Sequence, residues 1–554
     1  MAMGSRTSVA DSHPVWIRWF LPSIGDLFFV ALLGVLVFTN LSVRLLGDAG
    51  IGWHIRTGQI ILATHAIPHV DPFSSSMSGH PWFAWEWLYD VMVGWLESAT
   101  GLNGVVLLTA LIIASVFSWA FRLLLHRGTN IVVALILVLL AASASMIHFL
   151  ARPHVVSWLF TVAWFWILES SESDRTDSNA NFSETSAIPR ARLWFLPLLM
   201  LVWVNVHGGF LLGLALLTIY WVSAAWQWLR LTVAPTEDRF GDFLRKLRTG
   251  RRLRDLTFVG ILSAAATLVN PYGFKLHFHI YRYLSNRFLM DHIDEFQSPN
   301  FHYVAQKCFA ALLLLTLLAL ATKRRKISVS HGLVVLFAVY SGMYASRNIP
   351  VSSLLLILVI GPWLSDAMAR LSASARTPAL WRGLAHTQFL RRMEGIERSL
   401  RGHLWPIAAI VLTCWIVAHA GKLGAGQLMN AHFDSERFPV AAVDYLEKQD
   451  LEGPLLSPDS WGGYLIYRFY PRVKVVIDDR HDFYGVEFLK SYLKMIHAEP
   501  GWEEFLQQHA PYSVIVPKDS ALANLLLETS GWKAIYRDDA AVAFVRTPSS
   551  LPPR

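Results

Sequence analysis

Asp48, His54, Arg56, His65, His69, Asp71, Glu86 and Asp90 fall within residues 47–90, GDAGIGWHIRTGQIILATHAIPHVDPFSSSMSGHPWFAWEWLYD, set among tryptophans and phenylalanines. A carboxylate in such surroundings is a candidate general base or metal ligand, and neighbouring His and Arg can donate to an anion. The stretch is too polar to span a bilayer and too apolar to be a free loop. Indole rings settle at headgroup depth while carboxylates face water, so it reads as a folded loop in the membrane interface. For any single acid the plain alternative is a helix cap or a solvated group. Several acids and histidines on one face favour a site.

The elements that must hold these groups are legible from spacing. Helical periodicity covers residues 53–64 and 82–96, with Trp82, Trp85, Leu88, Tyr89 and Met92 on one face of the second run. Two prolines in IPHVDPFS break any helix between them, which predicts two interfacial helices joined by a turn carrying Asp71.

Composition sets the wider frame. Hydrophobic residues make up 54% of the 554 and aromatics 13%, the balance of a polytopic membrane protein. The formal charge of +8 is no nucleic-acid signal, because Lys and Arg sit in short segments between apolar runs. The only cysteines, Cys308 and Cys414, lie in apolar runs and offer neither a disulfide framework nor a metal site. The first apolar run has the length of a retained anchor and no cleavage signal follows it.

About eleven runs reach spanning length: 24–46, 103–123, 129–149, 154–169, 192–206, 208–228, 256–271, 303–322, 328–345, 350–369 and 403–421. Residues 230–255 hold eight Lys or Arg, KRRK occupies 323–326, and seven arginines lie between 370 and 401. Assigning these to the cytoplasm puts the N-terminus inside and residues 47–101 outside, together with everything after about 422. The acidic segment 169–189 then falls inside, as a flexible loop.

With that topology, polar groups at run ends gather on the external side: Arg152 and His154 in ARPH, Asn205 and His207 in WVNVHGG, Asn270 in LVNPYG, Asp294 and Glu295 in IDEFQSPNFH, Arg347 and Asn348 in SRNIP. Each has an ordinary explanation in helix termination or snorkelling. Their common sidedness predicts one external cavity roofed by the first loop. Residues 431–554 read as a small α/β domain, with VKVVID and SVIVP as strands, GWEEFLQQHA and ALANLLLETS as helices, and AIYRDDAAVAFVR as a hairpin. The expected fold is therefore mainly α: a polytopic bundle over residues 1–430 and an extracytoplasmic α/β domain.

An Asp just outside the first span, followed by WHIRTG, IPHVDPFS and PWFAWEWLYD, resembles the first external loop of GT-C type glycosyltransferases, particularly bacterial members. SPDSWGGYLIYRFYPRVKVVIDDR resembles the region around the Trp-Trp-Asp-Tyr-Gly motif of oligosaccharyltransferase catalytic subunits. Trp461 and Tyr464 are present, but Gly462 and Gly463 interrupt that motif and its acid is missing, so sequon recognition is not expected.

The resemblance implies an enzyme of the bacterial inner membrane that takes sugar from a polyprenyl-phosphate-linked donor and passes it to an acceptor on the extracytoplasmic face. Its catalytic base or metal ligand would be Asp48, with Asp71 and Glu86 orienting the acceptor or holding the loop. Arg152, His154, His207 and Arg347 are the groups available to the donor phosphate. His54, Arg56 and Trp85 are read as supports of the loop, and Trp461, Tyr464, Asp479 and Arg480 as acceptor-side candidates.

The cofactor is left open. A divalent cation on Asp48 with Asp71, Glu86 or His54 is chemically sensible, but no fixed spacing demands one. The partners expected are the donor, membrane lipid and an unidentified acceptor. Two alternatives stand beside the enzyme: a transporter or flippase of lipid-linked saccharide, or a scaffold without chemistry.

Overall fold

The computed structural model describes residues 19–173, 191–233, 238–324, 326–373, 393, 395–397, 400 and 402–547. Residues 174–189 of the acidic segment, and all but Arg370 of the seven arginines between 370 and 401, lie outside the described residues.

The principal helices are α1 (Ile24–Phe38), α2 (Ile51–Thr64), α3 (Trp87–Thr100), α4 (Leu102–His126), α5 (Ile131–Ser145), α6 (His154–Ser173), α7 (Leu196–Trp203), α8 (Phe210–Val233), α9 (Arg239–Ala266), α10 (Phe274–Ser285), α11 (Val304–Thr322), α12 (Val329–Tyr344), α13 (Ile349–Ala373) and α14 (Leu404–Ala418). Every expected apolar run falls on one of them. Five stretches are both long and apolar enough to cross a membrane: Leu102–His126, Ile131–His148, Phe210–Val233, Val304–Thr322 and Ser346–Leu371. Four apolar helices are shorter, among them Ile24–Phe38 and Leu404–Ala418. The protein is an integral membrane protein with a mainly helical, polytopic fold.

Two local expectations change. The second loop helix starts at Trp87 rather than at residue 82, because the preceding backbone is committed elsewhere. The Trp82 N–H donates to the His69 carbonyl and the Ala84 N–H to the Tyr272 hydroxyl, so neither can serve a helix. Residues 239–255, read as a cytoplasmic loop, instead form the first half of the 28-residue α9. Its Lys and Arg are good helix formers, and Asp238 caps it by accepting the Gly241 N–H.

After residue 429 the chain adds α15 (Val440–Leu446), β1 (Leu455–Leu456), α16 (Asp459–Phe469), α17 (Val486–Ile496), α18 (Trp502–His509), β2 (Ser513–Pro517), α19 (Ala521–Glu528), β3 (Trp532–Arg537) and β4 (Ala541–Arg546). The sheet order is β1-β2-β4-β3, with β1 parallel to β2 and the other pairs antiparallel. VKVVID is buried but is not a regular strand. Val475 makes single bridges to Leu455 on one side and to Ser74 on the other.

That second bridge hydrogen-bonds the first loop to the sheet margin. The Ser75 N–H donates to the Val475 carbonyl at 2.8 Å, and the Val475 N–H to the Phe73 carbonyl at 3.2 Å. Side chains of Phe433, Phe438, Tyr464, Ile466 and Val475 belong to the same core as the membrane helices, whereas β2, α17, α18 and α19 enclose a smaller core of their own.

Glycine sets the closest approaches. Gly463 of α16 lies against the Ala49 backbone at the start of α2, and Gly52 lies against the Gly463 carbonyl, so a Cβ at either position would overlap main chain. In the α2–α3 hairpin, Gly58 and Gly94 likewise bring two backbones into contact. The Gly462-Gly463 pair that interrupts the sequence motif is therefore a helix-crossing device.

At the opposite end of the bundle a second set of polar groups is buried, which the sequence reading did not anticipate. Glu169 pairs with Arg127 at 2.6 Å and accepts from the Tyr220 hydroxyl at 2.7 Å, with His331 Nε2 3.0 Å away. Asp26 pairs with Arg122 nearer the chain start.

Gly463→Ala should lower the thermal unfolding midpoint of the full chain in detergent, by the equivalent of about 1–3 kcal/mol for overpacking. Gly34→Ala, whose Cβ would meet nothing within 4 Å, should not. Equal midpoints for the two variants would refute the crossing.

Candidate functional site

A cavity of about 580 Å³ lies where the first loop, the turns preceding α6, α8 and α13, the α10 helix and residues 479–482 converge. Its polar wall includes Glu86, Arg152, His154, His207, Arg347 and Asp479, with Trp85 and Arg480 also lining it. Side chains separated by nearly 400 residues in sequence thus face one space.

Arg152 bridges two carboxylates. Its Nη1 lies 3.0 Å from Asp479 Oδ2 and 3.5 Å from Asp48 Oδ1. The guanidinium passes directly over Gly50, where any Cβ would overlap it. Asp48 Oδ1 also accepts the Gly50 N–H at 2.8 Å, which fixes this carboxylate at the N-terminus of α2, where the helix dipole favours negative charge. Asp48 keeps 29% of its side chain exposed, and its Oδ2 accepts no hydrogen bond among the described residues. Asp479 also accepts from Trp53 Nε1 at 3.0 Å. Burial, opposed by Arg152, raises its pKa to about 6.

Glu86 sits between two imidazoles, 3.8 Å from His54 Nε2 and 3.8 Å from His207 Nε2. His207 Nδ1 accepts the Gly209 N–H at 3.0 Å and the Ser157 hydroxyl at 2.8 Å, and that hydroxyl itself accepts from Trp203 Nε1. This fixes the proton of neutral His207 on Nε2, facing Glu86. His54 Nδ1 meets Asp90 Oδ1 at 2.6 Å. Burial pushes His54 and His207 well down and Asp90 well up, so the cluster is held in its uncharged forms. Burial, reinforced by Asp482 and opposed by Arg152, raises Glu86 to about 8. At neutral pH it is a carboxylic acid.

The far wall carries Arg347, 3.3 Å from Glu295 and stacked over Phe296. Burial raises the Glu295 carboxyl, but Arg347 and His148 outweigh it and hold the group below its ordinary range. His154 Nε2 meets the His148 carbonyl at 2.9 Å. Behind the α10 side, His279 holds two wall residues, lying 2.9 Å from Asp482 and stacked on Phe83. Neither His148 nor His279 emerged from the sequence. The only signal for His148 was its place six residues before His154, close to ARPH; His279 lies in a run of alternating aromatic and basic residues with no motif.

Several expected site residues lie elsewhere. Asp71 is buried: it accepts the Phe73 and Ser74 N–H groups and pairs with Arg480 at 2.9 Å, so its carboxylate holds the turn and does not reach the cavity. Arg480 touches the cavity wall but is boxed by Trp53, Phe73, Trp82 and Phe483 while also gripping Asp478, so its guanidinium is spent as a clamp. Trp461 and Tyr464 are core residues, the first donating to the Arg437 carbonyl and the second accepting from Arg468. Neither meets the cavity. Arg56 binds the Tyr467 carbonyl and supports the loop from behind.

The donor set does not fit a divalent cation. Arg152 occupies the space between Asp48 and Asp479, Asp71 is engaged elsewhere, and Glu86 is neutral. Among the described residues no three His, Cys, Asp or Glu side chains converge as ligands.

Comparison with solved structures places this arrangement on a known fold. The chain is similar to the oligosaccharyltransferase of Archaeoglobus fulgidus in its apo form, with 11% identity, a TM-score of 0.52, and coverage of 96% of this chain and 75% of that one. The same enzyme tethered with an acceptor peptide containing the NVT sequon matches at 12% identity, a TM-score of 0.52 and coverage of 96% and 74%. ArnT from Cupriavidus metallidurans bound to undecaprenyl phosphate gives 13% identity, a TM-score of 0.49 and coverage of 95% and 99%. The likeness is one of fold: this chain shares the fold of the Archaeoglobus fulgidus oligosaccharyltransferase. No protein-family model and no curated protein matches the sequence.

The infrared difference between wild type and Glu86→Gln should show a protonated carboxyl band at pH 6.5 that disappears as pH rises through about 8, since a raised acid is neutral below its pKa and charged above it. A band absent at pH 6.5 would refute the neutral assignment. Arg480→Met should destabilise the full chain by about 3–5 kcal/mol, the cost of stranding a buried charge, read as a lower unfolding midpoint. An unchanged midpoint would refute the clamp.

Proposed function

We propose that this chain is a glycosyltransferase that moves a sugar from a polyprenyl-phosphate-linked donor to an acceptor hydroxyl on the extracytoplasmic side of the membrane. One observation carries the reading: the polar cavity shares a wall with Leu211, Leu212, Ala215, Phe337, Tyr344 and Val351 on α8, α12 and α13, and Tyr344 is 56% exposed at its edge. A phosphate in the polar half thus leaves its prenyl chain an apolar route toward lipid.

The acceptor oxygen attacks the anomeric carbon, the bond from that carbon to the phosphate oxygen breaks with its electron pair leaving on phosphate, and the acceptor proton passes to Asp48. Asp48, whose Oδ2 is open, stands behind the cavity-lining Arg152, 3.5 Å from its guanidinium, and is the carboxylate we assign to that role. Single displacement inverts the anomeric centre. Arg347, offset by one carboxylate, and the Nε2–H of His207 receive the phosphate; Arg152 is already committed to two carboxylates and orients them. Neutral Glu86 donates to a sugar hydroxyl.

The orientation belongs to the same proposal. The basic half of α9 and the other Lys- and Arg-rich segments favour the cytoplasm, which leaves the cavity and residues 431–554 outside.

Asp48→Asn should reduce sugar transfer by about 10²–10⁴-fold, the range of general acid–base catalysis, while Asp48→Glu retains part of it. The measurements are release of polyprenyl phosphate by purified protein and mass spectrometry of envelope glycans in a complemented deletion strain. Full restoration by Asp48→Asn would sink the assignment.

A further inference from the structure

Another cavity, of about 340 Å³, lies between α8 and the first half of α9 and is lined by Trp228, Phe243, Lys246, Leu247, Gly250, Arg251 and Arg254. Trp228 lies seventeen residues along α8 from Leu211 of the first cavity, about 26 Å at the α-helical rise, so the two spaces are at opposite ends of the bundle.

Its polar groups are all donors. The Lys246 ammonium sits 5.6 Å from the Trp228 ring centre, and Gly250 forms the floor, its Cβ position 3.4 Å from Trp228 Nε1. That nitrogen has no hydrogen-bond partner among the described residues, and neither Lys246 nor Arg251 has a carboxylate within ion-pair reach among them. Arg254 is partly offset by Asp255 at 3.3 Å, while Asp242 is taken by Arg245. Three cations and an indole N–H without an acceptor describe a seat for an oxyanion.

The rim is apolar. Phe243 and Leu247 form one side, and Phe240, Leu229 and Val233 continue it as exposed surface. Here α9 turns from apolar to basic, the composition of a helix that leaves the hydrocarbon and runs into the headgroup layer. A free phosphate needs no such rim.

We propose that this groove binds the headgroup of an anionic glycerophospholipid, its phosphate among Lys246, Arg251 and Arg254 and its acyl chains over Phe243 and Leu247. The test is native mass spectrometry and lipid titration of the full chain, delipidated in detergent and offered phosphatidylglycerol, phosphatidylcholine or inorganic phosphate. Phosphatidylglycerol should bind in preference to phosphatidylcholine, and Lys246→Ala with Arg251→Ala should weaken it on the order of twenty-fold, each cation near an anionic surface contributing about five-fold. Gly250→Leu, which fills the floor and keeps every charge, should weaken it too. Equal binding of the two lipids, wild-type affinity in either variant, or displacement of the lipid by equimolar inorganic phosphate would each overturn the proposal.

Discussion

The buried guanidinium of Arg480 holds the cavity end of this protein together. It grips Asp478 beside it and Asp71 some four hundred residues away, inside a box of aromatic rings. A charge so far from water is tolerable only while its two carboxylates stay in place. The arrangement therefore ties the first loop to the segment after β1, and the backbone bridge at Val475 fixes the same two pieces in register. Asp479, next in the chain, is thereby turned toward Arg152, which in turn reaches Asp48 across a glycine. The site is a consequence of that joint.

The cavity is organised by protons more than by net charge. Glu86 is uncharged between two uncharged imidazoles, and Arg152 and Arg347 each face carboxylates. Desolvation drives the first of these conditions and pairing the second. The cavity's hydrogen-bond donors are thus already aimed, with little reorganisation left for an anion to impose.

The spans were legible because membrane-length apolar runs admit few other readings, and the gathering of Arg152, His154, His207 and Arg347 at one end followed from counting them. Residues whose partners come from distant sequence were harder to read. Asp71 has the look of a site acid, yet only the structure shows Arg480 claiming it. Trp461 and Tyr464 match a motif, yet the glycines between them serve the approach of α16 to α2 and turn both rings into core. VKVVID has strand composition, but the loop at one side and a two-residue strand at the other leave it only isolated bridges. His148 and His279 carried no local signal, because a lone histidine in an apolar run is as often a core residue as a functional one.

The glycine contacts of the α2–α3 hairpin bear on access. Where Gly58 meets the Asp90 carbonyl and Gly94 meets Gly58, no side chain cushions the two helices, so neither can tilt without driving backbone into backbone. That face of the chamber is a rigid anvil. Any widening of the chamber thus falls to the flank of α10 and α12, which face it with Ile280, Tyr283, Leu284, Phe337 and Tyr344.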